Sequence, residues 1–136
     1  MTTFGISEAA ALLGVSADTV RRWVDSGRLP ASRDEHGHRR VSGPDLAAFA
    51  RAQVGPDSEA GHSSARNRFR GIVTEVLRDA VMAQVEIAAG PFRVVSLMSR
   101  QAADELGLEP GVVAVAVIKS TNVVVEIPGH ARVASP

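Results

Sequence analysis

Apolar positions change their rhythm along this chain. From Ser7 to Ala52, Ala, Leu, Val and Trp recur at helical spacing, and a start signal precedes each run. From Arg70 to Ile127 the runs GIVTEVL, AQVEIA, FRVVSLM, VVAVAVIKS and NVVVEI alternate or stay apolar throughout, rich in Val and Ile, as strands are. Gly, Ser and charged residues crowd the stretch between them. The pattern predicts α+β architecture in two parts: residues 1–51 helical, 52–63 a linker, and 64–129 a β-rich domain.

Within the helical part, Ser7 is read as the N-cap of a first helix that runs through Leu13, with Glu8 suiting the positive helix end and Gly14 closing it. Ser16 caps a second helix, from Ala17 to about Gly27, with Asp18 in its first turn. Neither start, so read, carries Glu or Gln at its third helical position, so no reciprocal capping box is expected. Ala10, Leu13, Val15, Val20 and Trp23 or Val24 would pack between the helices, leaving Arg21 and Arg22 in water. Two short helices joined by so tight a turn form a helix-turn-helix unit, whose second helix can enter a major groove. Ala31–Ser32 and Arg39–Val41 then read as the two short strands of a wing about a turn at His36-Gly37, followed by Ser42 and a helix that opens at Pro44 or Asp45.

Charge changes this picture by its distribution, because fifteen basic and fifteen acidic side chains leave no net charge. Arg21 and Arg22 fall on the second helix, and Arg39 and Arg40 on the second wing strand. Clustered so, they can meet several phosphates while one or two side chains reach base edges. The run ISEAAALLGVSADTVRRWVDSGRLPASRDEHGHRRVSGPDLAAF resembles the winged helix-turn-helix of the MerR and excisionase class. That resemblance implies that Thr19, Arg21 and Arg22 face the major groove and that His38, Arg39 and Arg40 meet the backbone of double-stranded DNA from the wing. MerR members continue into a long dimerisation helix, and none follows Phe49, so pairing must come from elsewhere.

In the β-rich part, Ser99 is a good N-cap for a helix from Arg100 to Leu106 ended by Gly107, and an anion near Ser99 can accept free backbone N–H groups. Arg66 and Lys119 each stand close to hydroxyls, in Ser64-Ala65-Arg66 and Lys119-Ser120-Thr121. Lys119, the only lysine of the chain, ends an apolar strand from Val112 and has no acidic neighbour in sequence. A bound anion is a reasonable partner for it, and a strand-end ammonium in water is the plainer one. SARNRFRGIV, SLMSRQAADELGLEPG and AVIKSTNVVVEI, in that order, are similar to the molybdate-binding Mop or TOBE domain.

The second resemblance implies a five-stranded, OB-like barrel that pairs by exchanging strands and binds a tetrahedral dianion where subunits meet. It carries the ligand role onto Ser64, Arg66, Ser99, Lys119 and Ser120, and leaves Asn67 to brace the loop. Threonine is more usual in the family where this chain has Ser99. The donor set suits the ligand, since molybdate or tungstate offers acceptors only, and carboxylates would repel it. A barrel whose ligand site has lapsed is the competing reading.

Composition closes other routes. Without cysteine there are no disulfides and no thiolate chemistry. His36 and His38 form no recognised metal-ligand spacing with Asp34 and Glu35, and Asp104-Glu105 make a poor acid–base dyad because adjacent helical residues point apart. GLEPG is no phosphate loop, so no enzyme is expected. No apolar run spans a membrane, and the N-terminus lacks the marks of a signal peptide, which makes a cytoplasmic protein the expectation. The whole reads as a molybdate-responsive regulator assembled through its C-terminal domain, as a dimer or a trimer of dimers. The alternative is a molybdate-storage protein with an accessory helix-turn-helix head.

Overall fold

The computed structural model describes residues 2–54 and 63–129. The chain forms two compact units, Met1–Asp57 and Ser58–Pro136. No helix among the described residues is long and apolar enough to cross a membrane.

The first unit opens with a two-residue strand, β1 (Thr3–Phe4), absent from the sequence expectation, followed by α1 (Ile6–Leu13) and α2 (Ala17–Asp25). The N-cap of α1 is Gly5, not Ser7, and this makes Glu8 the third helical residue. Its Oε1 accepts the Gly5 N–H at 2.9 Å, so the half of a capping box that does not need a cap side chain is present after all. Gly14 closes α1 in the left-handed region at φ 70°, which a residue with a Cβ adopts at a cost. Ser16 caps α2 as expected, its Oγ accepting from the Thr19 N–H at 3.1 Å.

A hairpin follows, of β2 (Ser32–Arg33) and β3 (Arg39–Ser42), and then α3 (Gly43–Gln53), capped by the Ser42 hydroxyl at the Asp45 N–H. Helix α3 carries Ala52 and Gln53 with it, so the expected 52–63 linker begins as helix, and its residues 55–62 lie outside the described residues. The three strands form one small sheet in the order β1-β3-β2. Ala9, Ala10, Val20, Leu29, Val41 and Leu46 are its buried core, with Trp23 against Phe49 at 4.8 Å between ring centroids.

The second unit is a four-stranded antiparallel sheet in the order β6-β5-β4-β7, from β4 (Asn67–Arg78), β5 (Met82–Ala89), β6 (Phe92–Ser99) and β7 (Val113–Ile118). Strand β4 is long enough to serve two partners: Asn67 to Ile72 pair with β7, and Ile72 to Arg78 pair with β5 past an irregularity between Val73 and Glu75. Such a shift strengthens local twist and curls the sheet. Alternate residues Ala83, Val85, Ile87 and Ala89 of β5 turn inward and are buried. The first three enclose, with Val73, Ala103 and Leu108, the second core.

Helix α4 (Arg100–Glu105) is capped by Ser99 as expected, through the Ala102 N–H at 3.1 Å. Arg78, at the end of β4, ties that helix down by bonds to Asp104 (3.0 Å), the Leu108 carbonyl (2.8 Å) and Glu109 (3.2 Å). In the β4–β5 turn, the Asp79 carboxylate accepts the N–H groups of Val81 and Met82 at 2.8 and 2.7 Å. The Met82 N–H, then that of Val81, holds its carboxyl below the ordinary carboxylate value. A lowered folded-state value means that this turn contributes stability above the unfolded pKa of 3.8 and loses it as pH falls through the lower folded value. Asp79→Asn is therefore expected to flatten the acid limb of a stability–pH curve below about pH 4. Identical acid limbs in variant and parent would reject this.

The fifth strand is the one correction to the expected barrel. Residues 123–127, VVVEI, are legible as a strand but join no ladder; a 3₁₀ turn at Ser120–Asn122 leads the chain away from the sheet. Val124 and Val125 are 86% and 85% exposed, and the sheet leaves an apolar cavity of about 240 Å³ between β6 and β7, lined by residues such as Val85, Val94, Met98, Leu108 and Ala116. Apolar alternation specifies that a segment can pair, whereas a free edge in the same chain decides whether it does.

Candidate nucleic-acid interface and oxyanion site

Helix α2 presents Arg21 and Arg22 to solvent because Val20 takes the inward position beside them. Arg21 pairs with Asp18 one turn earlier, and Arg22 donates to the Thr19 hydroxyl at 3.2 Å. That hydroxyl lies 2.9 Å from Ser16 Oγ, so Thr19 sits at the capped end of the helix. Ion pairs between groups this exposed are weak and exchange readily for a phosphate.

The hairpin residues divide. Arg39 reaches Asp25 at the end of α2, at 2.7 Å, and Arg40 bonds the Thr3 carbonyl and hydroxyl at 3.0 and 3.1 Å, with Glu8 at 3.6 Å. The two guanidinium groups thus lock the hairpin to α2, α1 and β1, and a DNA phosphate would share them with those partners or displace them. His38 stands out at the tip, where Asp34 accepts its N–H and that of His36, both at 2.9 Å. The His38 N–H above all, then that of His36 and the charges of His38 and Arg40, keeps the Asp34 carboxyl below its ordinary value. Arg33, not among the expected contact residues, is the exposed cation of the hairpin, bound to the Gly37 carbonyl at 2.6 Å. Its place next to the hairpin turn was the signal that could have singled it out.

In the second unit the register decides which oxyanion candidates meet. Asn67 pairs with Ile118, and its side-chain amide donates to the Ile118 carbonyl at 3.1 Å. This fastens the Ser64-Ala65-Arg66 segment beside Lys119-Ser120, with Ala65 buried beneath and Ser64, Arg66, Lys119 and Ser120 exposed. Asn67 braces the loop, as expected. Neither the Arg66 nor the Lys119 side chain has an ion pair or hydrogen bond among the described residues. The cluster therefore offers donors and positive charge with no carboxylate to oppose an anion.

Ser99 does not join it. Its strand neighbour is Met82, beside the far end of β4, where Arg78 pairs with Ala83. The 12 residues of β4 put roughly 35 Å of strand contour between the two ends. Among the described residues no group of His, Asp and Glu side chains is arranged to hold a metal ion.

Two family models match the chain, in agreement with the division into units: a helix-turn-helix domain over residues 3–54 and a TOBE domain over residues 63–125. Molybdenum-pterin-binding protein 3 of Clostridium pasteurianum is 42% identical over 64 residues, which is 46% of this chain and 93% of that protein. The chain belongs to the TOBE domain family. Its TOBE unit also resembles the solved cytoplasmic molybdate-binding protein ModG in a form with molybdate bound, at 40% identity and a TM-score of 0.48, covering 53% of this chain and 52% of that one.

Ahead of the TOBE unit stands an excisionase-like helix-turn-helix domain. There the transcriptional repressor DcmR of Methylorubrum extorquens is 49% identical over 45 residues, 32% of this chain. The chain spans only 12% of the length of the type II methyltransferase M.Eco47II of Escherichia coli, 22% of the chromosome-anchoring protein RacA of Bacillus licheniformis and 17% of DcmR, each of which it matches over part of its length.

Proposed function

We propose that this chain is a cytoplasmic, molybdate-responsive transcriptional regulator, whose winged helix-turn-helix unit binds double-stranded DNA and whose TOBE unit binds molybdate or tungstate. The observation that carries the reading is the pairing of Asn67 with Ile118, which sets the segment ending at Arg66 beside the one that begins at Lys119. Kinship with proteins named for molybdenum and, over the other unit, with a transcriptional repressor supports the combination.

The site is completed between copies. Ser99 belongs to the same donor set but lies at the other end of the ladder, so one protomer brings Arg66 and Lys119 while a second brings Ser99. Residues 123–127 are the exchanged fifth strand: their apolar side chains are exposed, and β6 and β7 both leave an edge unpaired. Pairing also brings two DNA-binding heads together. Arg21, Arg22 and Thr19 face the major groove, with His38 and, shared with their internal partners, Arg39 and Arg40 toward the backbone. Ligand bound between subunits then favours one arrangement of the heads over others.

Calorimetry with molybdate, beside tungstate and sulfate, joined to sedimentation of the full chain, tests the sensor half. Selective binding at a fixed ratio to an oligomer is expected. DNA affinity measured with and without molybdate tests the regulator half. A high number of oxyanion sites per assembly, with no duplex binding at any salt concentration, would instead make the protein a molybdate store with an accessory head. Arg22→Ala is expected to weaken duplex binding about tenfold at moderate salt and to leave molybdate binding unchanged.

A further inference from the structure

The hairpin of the first unit ends in a turn that carries two imidazoles side by side. Its strands stop at Arg33 and resume at Arg39, and Asp34, Glu35, His36, Gly37 and His38 make the tip between them. The His36 and His38 rings are 6.3 Å apart between centroids, and both residues are exposed. The backbone beneath them is tied down. The Asp34 N–H donates to the His38 carbonyl at 2.9 Å, the Gly37 N–H donates to the Asp34 carbonyl at 3.0 Å, and Asp34 Oδ1 accepts the N–H groups of His36 and His38. A tip so braced presents both rings without a loop having to be ordered on binding.

Each ring has a carboxylate for a neighbour and no hydrogen bond to it. His36 Nε2 lies 3.6 Å from Glu35 Oε1, and His38 Nδ1 lies 3.9 Å from Asp34 Oδ2, both beyond hydrogen-bond length. Three guanidinium groups complete the surroundings. Arg33 of β2 is bound to the Gly37 carbonyl, Arg40 of β3 acts on Asp34 by its charge, and Arg39 of β3 is held by Asp25 of α2.

Protonation reverses the sign of this tip. With neutral imidazoles, residues 33–38 carry one guanidinium against two carboxylates; with both rings protonated, three cations stand against the same two. Imidazole is the side chain that ordinarily changes charge between about pH 5 and 8. Asp34, whose carboxyl the His38 N–H above all holds below its ordinary value, stays ionised across that window, so the change belongs to the rings. A neutral ring offers a phosphate one donor, and a protonated ring offers two with a charge.

We propose that His36 and His38 together form a phosphate contact that engages the DNA backbone in its protonated form, so that duplex binding takes up protons. The proposal rests on the reading that the helix-turn-helix unit binds duplex DNA. It adds His36 to the contact residues and makes the contact depend on pH. A phosphate stabilises the charged ring, so a bound ring keeps its proton to higher pH than a free one, and affinity rises as pH falls. Backbone contact carries no sequence information, so the same dependence holds on any duplex and the choice of site stays with α2.

The test uses the full chain and a fluorescently labelled mixed-sequence duplex at fixed ionic strength. Parental affinity is expected to rise about tenfold from about pH 8 to about pH 6, and the slope of log affinity against log salt to be steeper by about 1 to 2 at the lower pH. In His36→Gln/His38→Gln the gain is expected to shrink to less than about twofold. His36→Arg/His38→Arg, charged at every pH, is expected to bind near pH 8 about as tightly as the parent does near pH 6. Calorimetry in two buffers of different ionisation enthalpy reads the proton directly: uptake of about one per chain by the parent near pH 6.5, and none by the Gln/Gln variant. Melting of the variants stays parental, because Asp34 holds the turn through backbone N–H groups that the substitutions keep.

A pH gain that survives in the Gln/Gln variant overturns the proposal and passes the effect to other groups, His62 and His130 being present in every variant. Parental binding without proton uptake overturns it as well. If the parent binds no duplex at any pH or salt concentration, the regulator reading fails and this proposal with it. That case is recognisable because Arg22→Ala then has no binding to weaken.

Discussion

Gly71→Ala is expected to lower the melting temperature of the TOBE unit by at least 12 °C, about 3 kcal/mol in a domain of this size. Gly71 lies in β4 where β7 and β5 overlap as partners, opposite Ala114 on one side and close to Ala88 on the other. A Cβ there would stand 2.3 Å from the Ala88 carbonyl oxygen, 2.8 Å from its carbon and 2.9 Å from Ile87 Cγ2. The nearest atoms are backbone, pinned by the pairing of Ile72 with Ala88 and Val73 with Ile87, so no rotamer change relieves the contact. Overpacking costs about 1–3 kcal/mol where side chains can yield, and this site belongs at the upper end or above it. Calorimetric melting of parent and variant checks the value, with the helix-turn-helix transition as internal reference. A drop below about 4 °C would mean that the two strands separate more easily than the ladder suggests.

The second large effect concerns the ligand. Arg66→Ala combined with Lys119→Ala is expected to reduce molybdate affinity about a thousandfold, because each removes a charge-assisted donor worth about 1.5–3 kcal/mol. Both side chains are exposed and have no partner among the described residues, so the fold loses nothing that they hold together. Unchanged melting in the absence of ligand and unchanged duplex binding in the absence of ligand are therefore part of the expectation. Titration calorimetry reads the molybdate affinity, and thermal scans with and without molybdate check it, since ligand that binds only the folded state raises the melting temperature of the parent alone. Retention of affinity within about threefold would move the oxyanion to other residues.

Caps and turns show how far local chemistry carries. Ser16, Ser42 and Ser99 each accept the backbone N–H three residues on, because a hydroxyl before a helical run has few other uses. Glycine 14 closes α1 for the same kind of reason, a conformation that one residue type reaches cheaply. Ser7 shows the limit: its neighbour Gly5 took the cap position, since Glu8 can satisfy a backbone N–H from inside the helix and a glycine cap costs little. Strand β1 was illegible because two residues carry no period, and its pairing with Val41 and Ser42 depends on α1 lying where it does.

The candidate site residues follow the same rule. The residue types at Ser64, Arg66, Lys119 and Ser120 and their order along the chain are sequence properties, and they already speak for an acceptor-only ligand. Their meeting is a matter of register, set by Asn67 opposite Ile118 over fifty residues away, and register also sends Ser99 to the other end of the same ladder. Arg39 and Arg40 likewise read as wing cations from their position alone, yet the packing of β3 against β1 and the helices engages them with Asp25, Glu8 and Thr3. The sequence by itself determined a helical part ahead of a strand-rich part, the helices at Ala17–Asp25 and Arg100–Glu105 with their Ser16 and Ser99 caps, and the residue types of the candidate anion site, because periodicity, capping and charge act over a few residues. Tertiary structure alone decided which cations stand together, which are engaged within the fold, and that VVVEI finds no place in its own sheet, because those outcomes depend on strand register and edges between residues far apart in the chain.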